Sequence, residues 1–582
     1  MTLALVAILA LSSPGAAAAT TPAAPSFPRS ETLYTSGVMY TPPTNFNPLD
    51  ANRGPLPGRV PGPAPASAVT GWHGPYAVGT MGLLYETLFL YDPQHQSYLP
   101  WLATSGSWQG SSYVIHVRQG VKWSDGAPLT GADVSYTVNL AKTNPQVSWA
   151  ELVQFGLQGA VASGGTVTVR FGSPPPYAAW QRFLWTAPVL PKHIWSKLSA
   201  TAQLSWPNTR PVSSGPMLLD YYSSAEVAYR ANPSWWAGAQ MGLHLRFKYL
   251  VGTVTGGAGS ELTKLLSGDL DWSNAFLPGA ANVLSSRGGS SGYNIMAYYQ
   301  SPPYMLPAGT AWLVPNTGRA PMNGADFRRA LAWALGPTTI AGQIYPGPAP
   351  VVSPTGLPPV FKSYVDRDVV TKFGFKYDPA RAKSYLKHSG YKGQVLTLTV
   401  PAGLNDLEAA AGVIARQLLV VGINVKVSYT SYSIWEEDLA TGQFELTIAG
   451  QTALDATPWG YFDRVYALPT KATTDEQVAG LNPERFSDPA AWALVKQAGA
   501  TPLSETATLK RAYAQIEKDF LQDLPVVPVW YGLAWAQGNT THWVGYPSST
   551  DKNDQNTPVM WTGWLGATTT ILALAQLRPV KH

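Results

Sequence analysis

The sequence predicts a globular α/β fold. Apolar residues make up 45% of the 582 residues, and at roughly 100–200 residues per domain this length suggests about three or four folding units. Apolar and polar residues alternate over 396–400 and again over 423–429, as in strands, and residues 407–421 between them are rich in Ala and Leu, as in a helix. This strand–helix–strand order predicts a parallel strand pair joined by a right-handed crossover.

Other elements follow from turn and cap signals along the chain. Three further segments are predicted as strands: 33–40, 113–118 and 444–448. Thr130 can cap a helix that runs to about residue 142, and Asp133 stands at the third position after it, as in a capping box. Asp378 followed by Pro379 begins another helix, which ends before Gly390. We find no internal repeat, and the elements together indicate an α/β fold with α+β portions.

The charge balance and the missing cysteine exclude several functions. The net charge is +5, but the 39 Lys and Arg are scattered, so the pattern does not indicate a nucleic-acid partner. With no cysteine in the chain, disulfides, thiol catalysis, Cys-ligated zinc and iron–sulfur clusters are excluded. A lipid-modified N-terminal cysteine is excluded for the chain as written. The 22 tryptophans suit both a core and a cleft that grips ligands by flat apolar faces.

The N-terminus predicts export. Residues 3–11 form an unbroken apolar run, too short to span a bilayer of about 30 Å, and four alanines follow at 16–19. We therefore expect a signal peptide at 1–19 and a protein outside the cytoplasm, although no Lys or Arg precedes the apolar run. A disordered Ala-rich tail is the alternative.

Catalytic motifs do not support an enzyme. Residues 288–292 fit G-x-S-x-G, but the flanking residues are Gly, Ser, Arg, Tyr and Asn, instead of the apolar strand and helix that a nucleophile elbow requires. The eight histidines form no H-E-x-x-H motif, and no phosphate-binding loop is present. We predict no catalytic residue, no metal and no cofactor. A secreted enzyme or a structural surface protein is a remote alternative.

Seven motifs follow one another along the chain. The most extensive combines residues 85–93, YETLFLYDP, with residues 113–134, YVIHVRQGVKWSDGAPLTGADV. The others are NFNPL at 45–49, LPKHIW at 190–195, SGPMLL at 214–219 with RANPSWW at 230–236, FRRALAWAL at 327–335, YDPARAKSYL at 377–386 and LPVVPVW at 524–530. In this order they resemble the family 5 extracellular solute-binding proteins that serve dipeptide, oligopeptide and nickel ABC importers. Gly336 stands where the family usually has Asp.

The resemblance implies a two-lobed periplasmic-binding-protein fold, type II-like, with an extra subdomain in the N-terminal lobe. It divides the chain into a signal peptide at 1–19, a flexible leader at 20–30, the first lobe at 31–70 and 205–304, the extra subdomain at 71–204, the second lobe at 305–539 and a return to the first lobe at 540–582. It also implies a hinge that closes on a solute, a permease and an ATPase as partners, and a monomeric receptor.

The same resemblance places the ligand between the lobes, near loops that follow strands of the second lobe. Asp455 partly matches a family loop whose carboxylate binds the terminal amine of a peptide. The candidate contacts are Tyr432, Trp435, Asp455, Trp459, Trp530 and Tyr531. We expect an oligopeptide ligand. A cello- or xylo-oligosaccharide, favoured by many Trp and few charges, is the alternative, and a nickel chelate is a third.

Overall fold

The computed structural model describes most of the chain: residues 25–38, 46–49, 82–92, 95–145, 147–255, 257–273, 275–285, 293–345, 350–451, 455–468, 482–533, 536–550 and 569–581. The predicted signal peptide and the motif at 288–292 lie outside the described residues. Among the described residues, no helix combines the length and the apolarity needed to cross a membrane.

The elements as far as residue 205 are one strand followed by a compact α/β unit. They are β1 (Thr32–Val38), β2 (Phe89–Asp92), β3 (Ser97–Pro100), β4 (Ala103–Gln109), β5 (Ser112–Val117), α1 (Gly131–Thr143), α2 (Glu151–Gln154), β6 (Leu157–Ser163), β7 (Thr166–Phe171), α3 (Tyr177–Thr186), α4 (Lys192–Trp195) and α5 (Ala200–Ser205). Strands β4, β5, β7 and β6 form an antiparallel sheet in that order. We call this sheet, the β2–β3 hairpin and helices α1 to α5 the subdomain. Thr130 and Asp133 form the expected capping box at the start of α1.

The elements that follow, up to residue 297, return to the sheet begun by β1. They are β8 (Met217–Tyr222), β9 (Glu226–Ala231), α6 (Trp236–Met241), β10 (Tyr249–Val254), α7 (Ala258–Ser267), β11 (Trp272–Ser273), α8 (Ala280–Ser285) and β12 (Ile295–Ala297). Strand β1 lies between β10 and β11 and is parallel to both. This sheet and its helices are the first lobe.

The second lobe is one continuous stretch of chain. Its elements are β13 (Pro307–Pro315), α9 (Ala325–Ala334), α10 (Pro337–Ile344), α11 (Arg367–Phe373), α12 (Pro379–His388), β14 (Leu396–Pro401), α13 (Asn405–Val421), β15 (Val425–Thr430), α14 (Tyr432–Thr441), β16 (Leu446–Gln451), α15 (Trp459–Tyr466), α16 (Pro489–Gly499), α17 (Thr506–Asp523) and β17 (Val527–Leu533). The described strands form a sheet in the order β15-β14-β16-β13-β17. As predicted, β14, α13 and β15 form a parallel strand–helix–strand unit.

The chain then returns to the first lobe through β18 (Gln537–Asn539), β19 (Trp543–Val544), α18 (Thr570–Gln576) and β20 (Arg578–Pro579). Strand β18 pairs with β11 and β12, and the described strands of the first lobe have the order β12-β18-β11-β1-β10-β9-β8. The predicted boundary at residue 540, where the chain re-enters the first lobe, is therefore placed too far along the chain, because backbone pairing already makes residues 537–539 part of the first-lobe sheet.

The end of the predicted flexible leader is ordered. Arg29 lies in a single 3-10 turn, Arg29–Glu31, just before β1. Its guanidinium forms an ion pair with Asp271 and donates hydrogen bonds to the carbonyl oxygens of Thr32 and Gly268, each at 3.0 Å. The flexible-leader prediction was wrong for residues 29–30, because these contacts attach them to the first lobe.

Three tryptophans bind a buried carboxylate within the most extensive of the seven motifs. Glu86 is 1% exposed. Trp101 and Trp235 donate indole hydrogen bonds to its Oε1 at 2.9 and 3.2 Å, and Trp236 donates to its Oε2 at 3.0 Å. Burial raises the pKa of Glu86 to about 7, although these hydrogen bonds oppose the rise. This part of the motif therefore has a scaffold role.

Candidate ligand-binding site between the lobes

Tyr432 and Trp435, which the sequence places on a loop, belong to helix α14. The side chain of Ser431 caps this helix by accepting a hydrogen bond from the Ile434 amide at 3.4 Å. Trp435 is buried, and its indole donates to Thr447 Oγ1 on β16 at 2.8 Å. Trp435 therefore anchors α14 to the second-lobe sheet. The side chain of Tyr432 lies outside the described part of the structure.

Trp530 and Tyr531 lie on β17, where every residue is buried. The Tyr531 hydroxyl donates to the Leu357 carbonyl oxygen at 2.8 Å and accepts from the Ser353 amide at 3.2 Å. Trp530 is part of the hydrophobic core. In this structure both side chains pack inside the second lobe.

Asp455 and Trp459 lie where the subdomain meets the second lobe. Arg182, on α3 of the subdomain, donates to Asp455 Oδ2 at 2.8 Å and to Asp463 Oδ2, on α15, at 3.3 Å. Glu151, also from the subdomain, has Oε1 at 3.8 Å from the same guanidinium. The cation that Asp455 meets is therefore an arginine of its own chain. We call Arg182, Glu151, Asp455 and Asp463 the interlobe ion cluster.

The interlobe ion cluster places three carboxylates around one cation. The side chains of Arg182 and Asp455 are 20% and 8% exposed, so water screens their attraction weakly. Burial opposes the charge of Arg182, but the carboxylates of Asp455, Glu151 and Asp463 outweigh it and raise its pKa. Burial also raises the pKa of Glu151 and of Asp463. The positive charge of Arg182 lowers both pKa values, but it does not cancel the effects of burial and of the neighbouring carboxylates.

Trp459 joins the ion cluster to an aromatic contact. The Arg182 guanidinium lies over its ring, 4.6 Å from the centroid, and Phe155 of the subdomain meets it edge-on at 5.8 Å between centroids. The side chain is fully buried, yet among the described residues its indole nitrogen has no hydrogen-bond partner. Residue 499 must be a glycine at this contact, because a Cβ there would lie 2.5 Å from the indole nitrogen and collide with it.

A second group of aromatic side chains covers the loop that carries Asp455. Tyr91 stacks on Trp185 with 5.3 Å between centroids and contacts Tyr98 at 4.9 Å. These three subdomain rings pack against Ala456 and Leu503 of the second lobe. Residues from both lobes thus form one continuous apolar and ionic contact.

A cavity of about 530 Å³ lies beside Trp459, between the subdomain and the second lobe. Phe155 and Gln154 line it from the subdomain, and Lys496 and Gln497 line it from α16. The side chains of Gln154, Lys496 and Gln497 are exposed, whereas Trp459 is buried. The cavity therefore opens to solvent through polar side chains, and Phe155, which is half-buried, is the aromatic residue partly exposed to it.

Sequence reasoning missed Arg182, Glu151 and the aromatic side chains of the subdomain. Arg182 is the one charged residue in α3, whose other residues are mostly apolar. A lone cation in such a helix is a signal for a buried partner. The sequence could not identify that partner, which is 273 residues away along the chain.

The described residues contain no group of three or more His, Asp or Glu side chains arranged to hold a metal ion. His193 contacts Asp125 at 2.7 Å, and His116 contacts Thr166 at 3.3 Å. Each is satisfied locally.

Comparison with known proteins identifies the family. The profile for "Bacterial extracellular solute-binding proteins, family 5 Middle" matches residues 97–472. The chain belongs to this family. The family 5 chain is 32% identical to a periplasmic oligopeptide-binding protein of an oligopeptide ABC transporter from Thermotoga maritima, solved with mannohexaose bound. That match has a TM-score of 0.85 and covers 96% of this chain and 100% of the other.

Two curated relatives are more distant. Protein XP55 of Streptomyces lividans is 28% identical over an alignment that covers 57% of this chain and 59% of the relative. The oligopeptide-binding protein OppA of Bacillus subtilis is 21% identical, with 76% of this chain and 80% of OppA covered. The two-lobed fold that the seven motifs predict is confirmed by the Thermotoga structure.

Proposed function

We propose that this family 5 protein is the extracytoplasmic ligand-capturing component of an ABC importer. The observation that carries the proposal is the contact between the lobes, where Arg182 of the subdomain binds Asp455 and Asp463 of the second lobe. A solute bound between such surfaces touches both lobes only when they are closed. Its binding energy therefore favours closure, and no covalent chemistry is needed.

The relatives support an oligopeptide as the solute. OppA of Bacillus subtilis is named an oligopeptide-binding protein, and the Thermotoga protein is named for an oligopeptide ABC transporter. A permease and an ATPase are the partners we propose for delivery across the membrane. A location outside the cytoplasm and a monomeric receptor are part of the same proposal.

An uncharged oligosaccharide is the second candidate, and one observation favours it. Asp455, the carboxylate expected to bind a peptide's terminal ammonium, is already paired with Arg182 at 2.8 Å. The Thermotoga protein, 32% identical to this chain, was solved with mannohexaose. A neutral ligand would leave the Arg182–Asp455 pair intact.

Solute-dependent closure tests the proposed function. The chain has no cysteine, so Gln109→Cys in the subdomain and Lys392→Cys in the second lobe introduce a unique pair for spin labels. Both positions are exposed. We expect a shorter label distance with oligopeptides or oligosaccharides, and a gain of about 2.7 kcal/mol in stability at 100-fold excess over Kd. If no member of either solute class changes the distance or the melting temperature, both proposed ligand classes are wrong.

A further inference from the structure

The interlobe ion cluster holds more negative than positive charge. Arg182 supplies one cation, and three carboxylates surround it: Glu151, Asp455 and Asp463. When all three are ionised, the cluster carries a net charge of −2 in an interface where the Asp463 side chain is 1% exposed. A buried excess of charge destabilises the arrangement that holds it.

Two carboxylate oxygens of the cluster are left without a donor. Arg182 donates to Oδ2 of Asp455 at 2.8 Å and to Oδ2 of Asp463 at 3.3 Å. Oδ1 of each aspartate is buried and has no hydrogen-bond partner among the described residues. The described carboxylates are not arranged to hold a metal ion. A proton is the cation that this interface can accommodate without further space.

Separation of the lobes divides the cluster. Glu151 and Arg182 stay together on the subdomain, where one carboxylate balances one guanidinium. Asp455 and Asp463 leave with the second lobe and regain contact with water. Hydrated Asp and Glu side chains are ionised at neutral pH. The excess of negative charge is therefore a property of the closed arrangement.

Glu151 is the carboxylate best placed to accept a proton. Its Oε1 lies 3.8 Å from the guanidinium, too far for a hydrogen bond, whereas both aspartates accept one. Its side chain is 17% exposed, more than those of Asp455 and Asp463, so a proton can reach it from solvent. Burial raises the pKa of Glu151, Arg182 lowers it, and the charges of Asp463 and Asp455 raise it further.

The other titratable groups around α2 leave this excess in place. Helix α1 carries Asp133, which forms the capping box, and Lys142, which donates to a backbone carbonyl oxygen of β6 at 2.8 Å. Lys496 of α16 is exposed at the mouth of the cavity, and Arg464 of α15 acts on Glu484. Burial raises the pKa values of the surrounding tyrosines, which stay neutral: Tyr91, Tyr98, Tyr136 and Tyr513.

From this arrangement we propose that closure of the two lobes is coupled to the uptake of one proton by the interlobe ion cluster, with Glu151 as the residue that holds it. The inference rests on the proposed function, because it concerns closure of the same lobes on a solute. Protonation leaves Arg182 to Asp455 and Asp463. Since the closed state binds one more proton than the open state, solute capture is strengthened as the pH falls and weakened as the pH rises above neutrality.

Isothermal titration at pH 7 and pH 8 with mannohexaose, cellohexaose, xylohexaose and hexa-alanine tests the proposal. For each solute that binds, the ratio of the Kd at pH 8 to the Kd at pH 7 should be about three- to tenfold larger in the wild type than in Glu151→Gln, whose amide cannot ionise; tenfold is the limit for one proton. The comparison cancels any titration of the solute itself. At pH 8, Glu151→Gln should also bind more tightly than the wild type.

Glu31→Gln is the matched control, since it makes the same chemical change at an exposed residue of the first lobe. It should keep the wild-type ratio. Titration of the wild type in phosphate and in Tris at pH 7.5 counts the protons without any variant, because the two buffers release different heats on ionisation. We expect uptake of about half a proton or more per bound solute.

The inference is overturned, and the proposed function kept, if a solute closes the spin-labelled lobes with the same Kd ratio in wild type and Glu151→Gln, or if the wild type takes up no proton on binding it. If none of the four solutes closes the lobes at either pH, the inference fails together with both proposed ligand classes. Thermal unfolding of each variant verifies that the fold is intact.

Discussion

Replacing Arg182 by Met should release the two lobes from each other. The substitution keeps much of the aliphatic side chain and removes the one cation of the interlobe ion cluster. Asp455 and Asp463, whose side chains are 8% and 1% exposed, would then lose their charged partner. Neither carboxylate can be rehydrated while the lobes stay together.

The magnitude follows from this burial. Removing one partner of a buried ion pair costs about 3–5 kcal/mol. The lower end applies here, because Arg182 is 20% exposed and because separation of the lobes returns the carboxylates to water. If the closed state alone is destabilised by about 3 kcal/mol, the ratio of closed to open molecules falls by roughly 150-fold.

Spin labels at Gln109→Cys and Lys392→Cys measure the shift as a smaller short-distance population in Arg182→Met than in wild type at the same subsaturating solute concentration. Arg170→Met is the matched control, since Arg170 is exposed on β7 of the same subdomain. The reasoning is refuted if Arg182→Met shows the wild-type distance distribution, because Arg182 would then contribute nothing to holding the lobes together.

The remaining predictions concern the scaffold. Gly356 has φ +73° and a methyl group there would collide with the Tyr461 hydroxyl, whereas Gly390 has φ +76° and open space around it. In urea unfolding, Gly390→Ala should lower the free energy of unfolding by about 1–2 kcal/mol, and Gly356→Ala should lower it by about 1–3 kcal/mol more. Equal losses in the two variants would contradict the steric argument. Glu86→Ala leaves three buried indole donors without an acceptor and should cost about 3 kcal/mol or more, with Glu86→Gln milder, in the same assay. Burial raises the pKa of Glu86 to about 7 and of Glu484 to about 8, above the ordinary glutamate value, so the folded state takes up protons and the free energy of unfolding should rise as the pH falls from about 8 to about 5. A urea midpoint lower at pH 5 than at pH 8 would show that other groups dominate.

Local signals allowed much of the fold to be predicted. The capping box at Thr130 and the turn from Asp378 into Pro379 give helix starts that the structure confirms at α1 and α12. The alternation at 396–400 gives β14. These signals act over a few residues, so the sequence displays them directly. By contrast, helix α14 was predicted as a loop, because the cap of Ser431 was not recognised.

The candidate site was harder to predict, because its contacts join distant parts of the chain. Asp455 and Trp459 were identified, but their partner Arg182 lies in another lobe. Trp530 and Tyr531 carry the same aromatic signal as Trp459 and lie inside the second lobe. Whether an aromatic residue faces a core or a cleft depends on tertiary packing, which residue type does not encode.

The way the chain crosses between the lobes sets the order in which they can fold. Strands β12 and β18 are neighbours in the first-lobe sheet, although the whole second lobe separates them along the chain. The second lobe can therefore form as soon as its own continuous segment is available. The first lobe must wait for the C-terminal segment, because the Trp543 indole donates to the Thr32 carbonyl oxygen across 511 residues of sequence. Until then the early strands of the first lobe lack their C-terminal neighbours and are prone to aggregate. We therefore expect chaperones to act mainly on the N-terminal part of the chain.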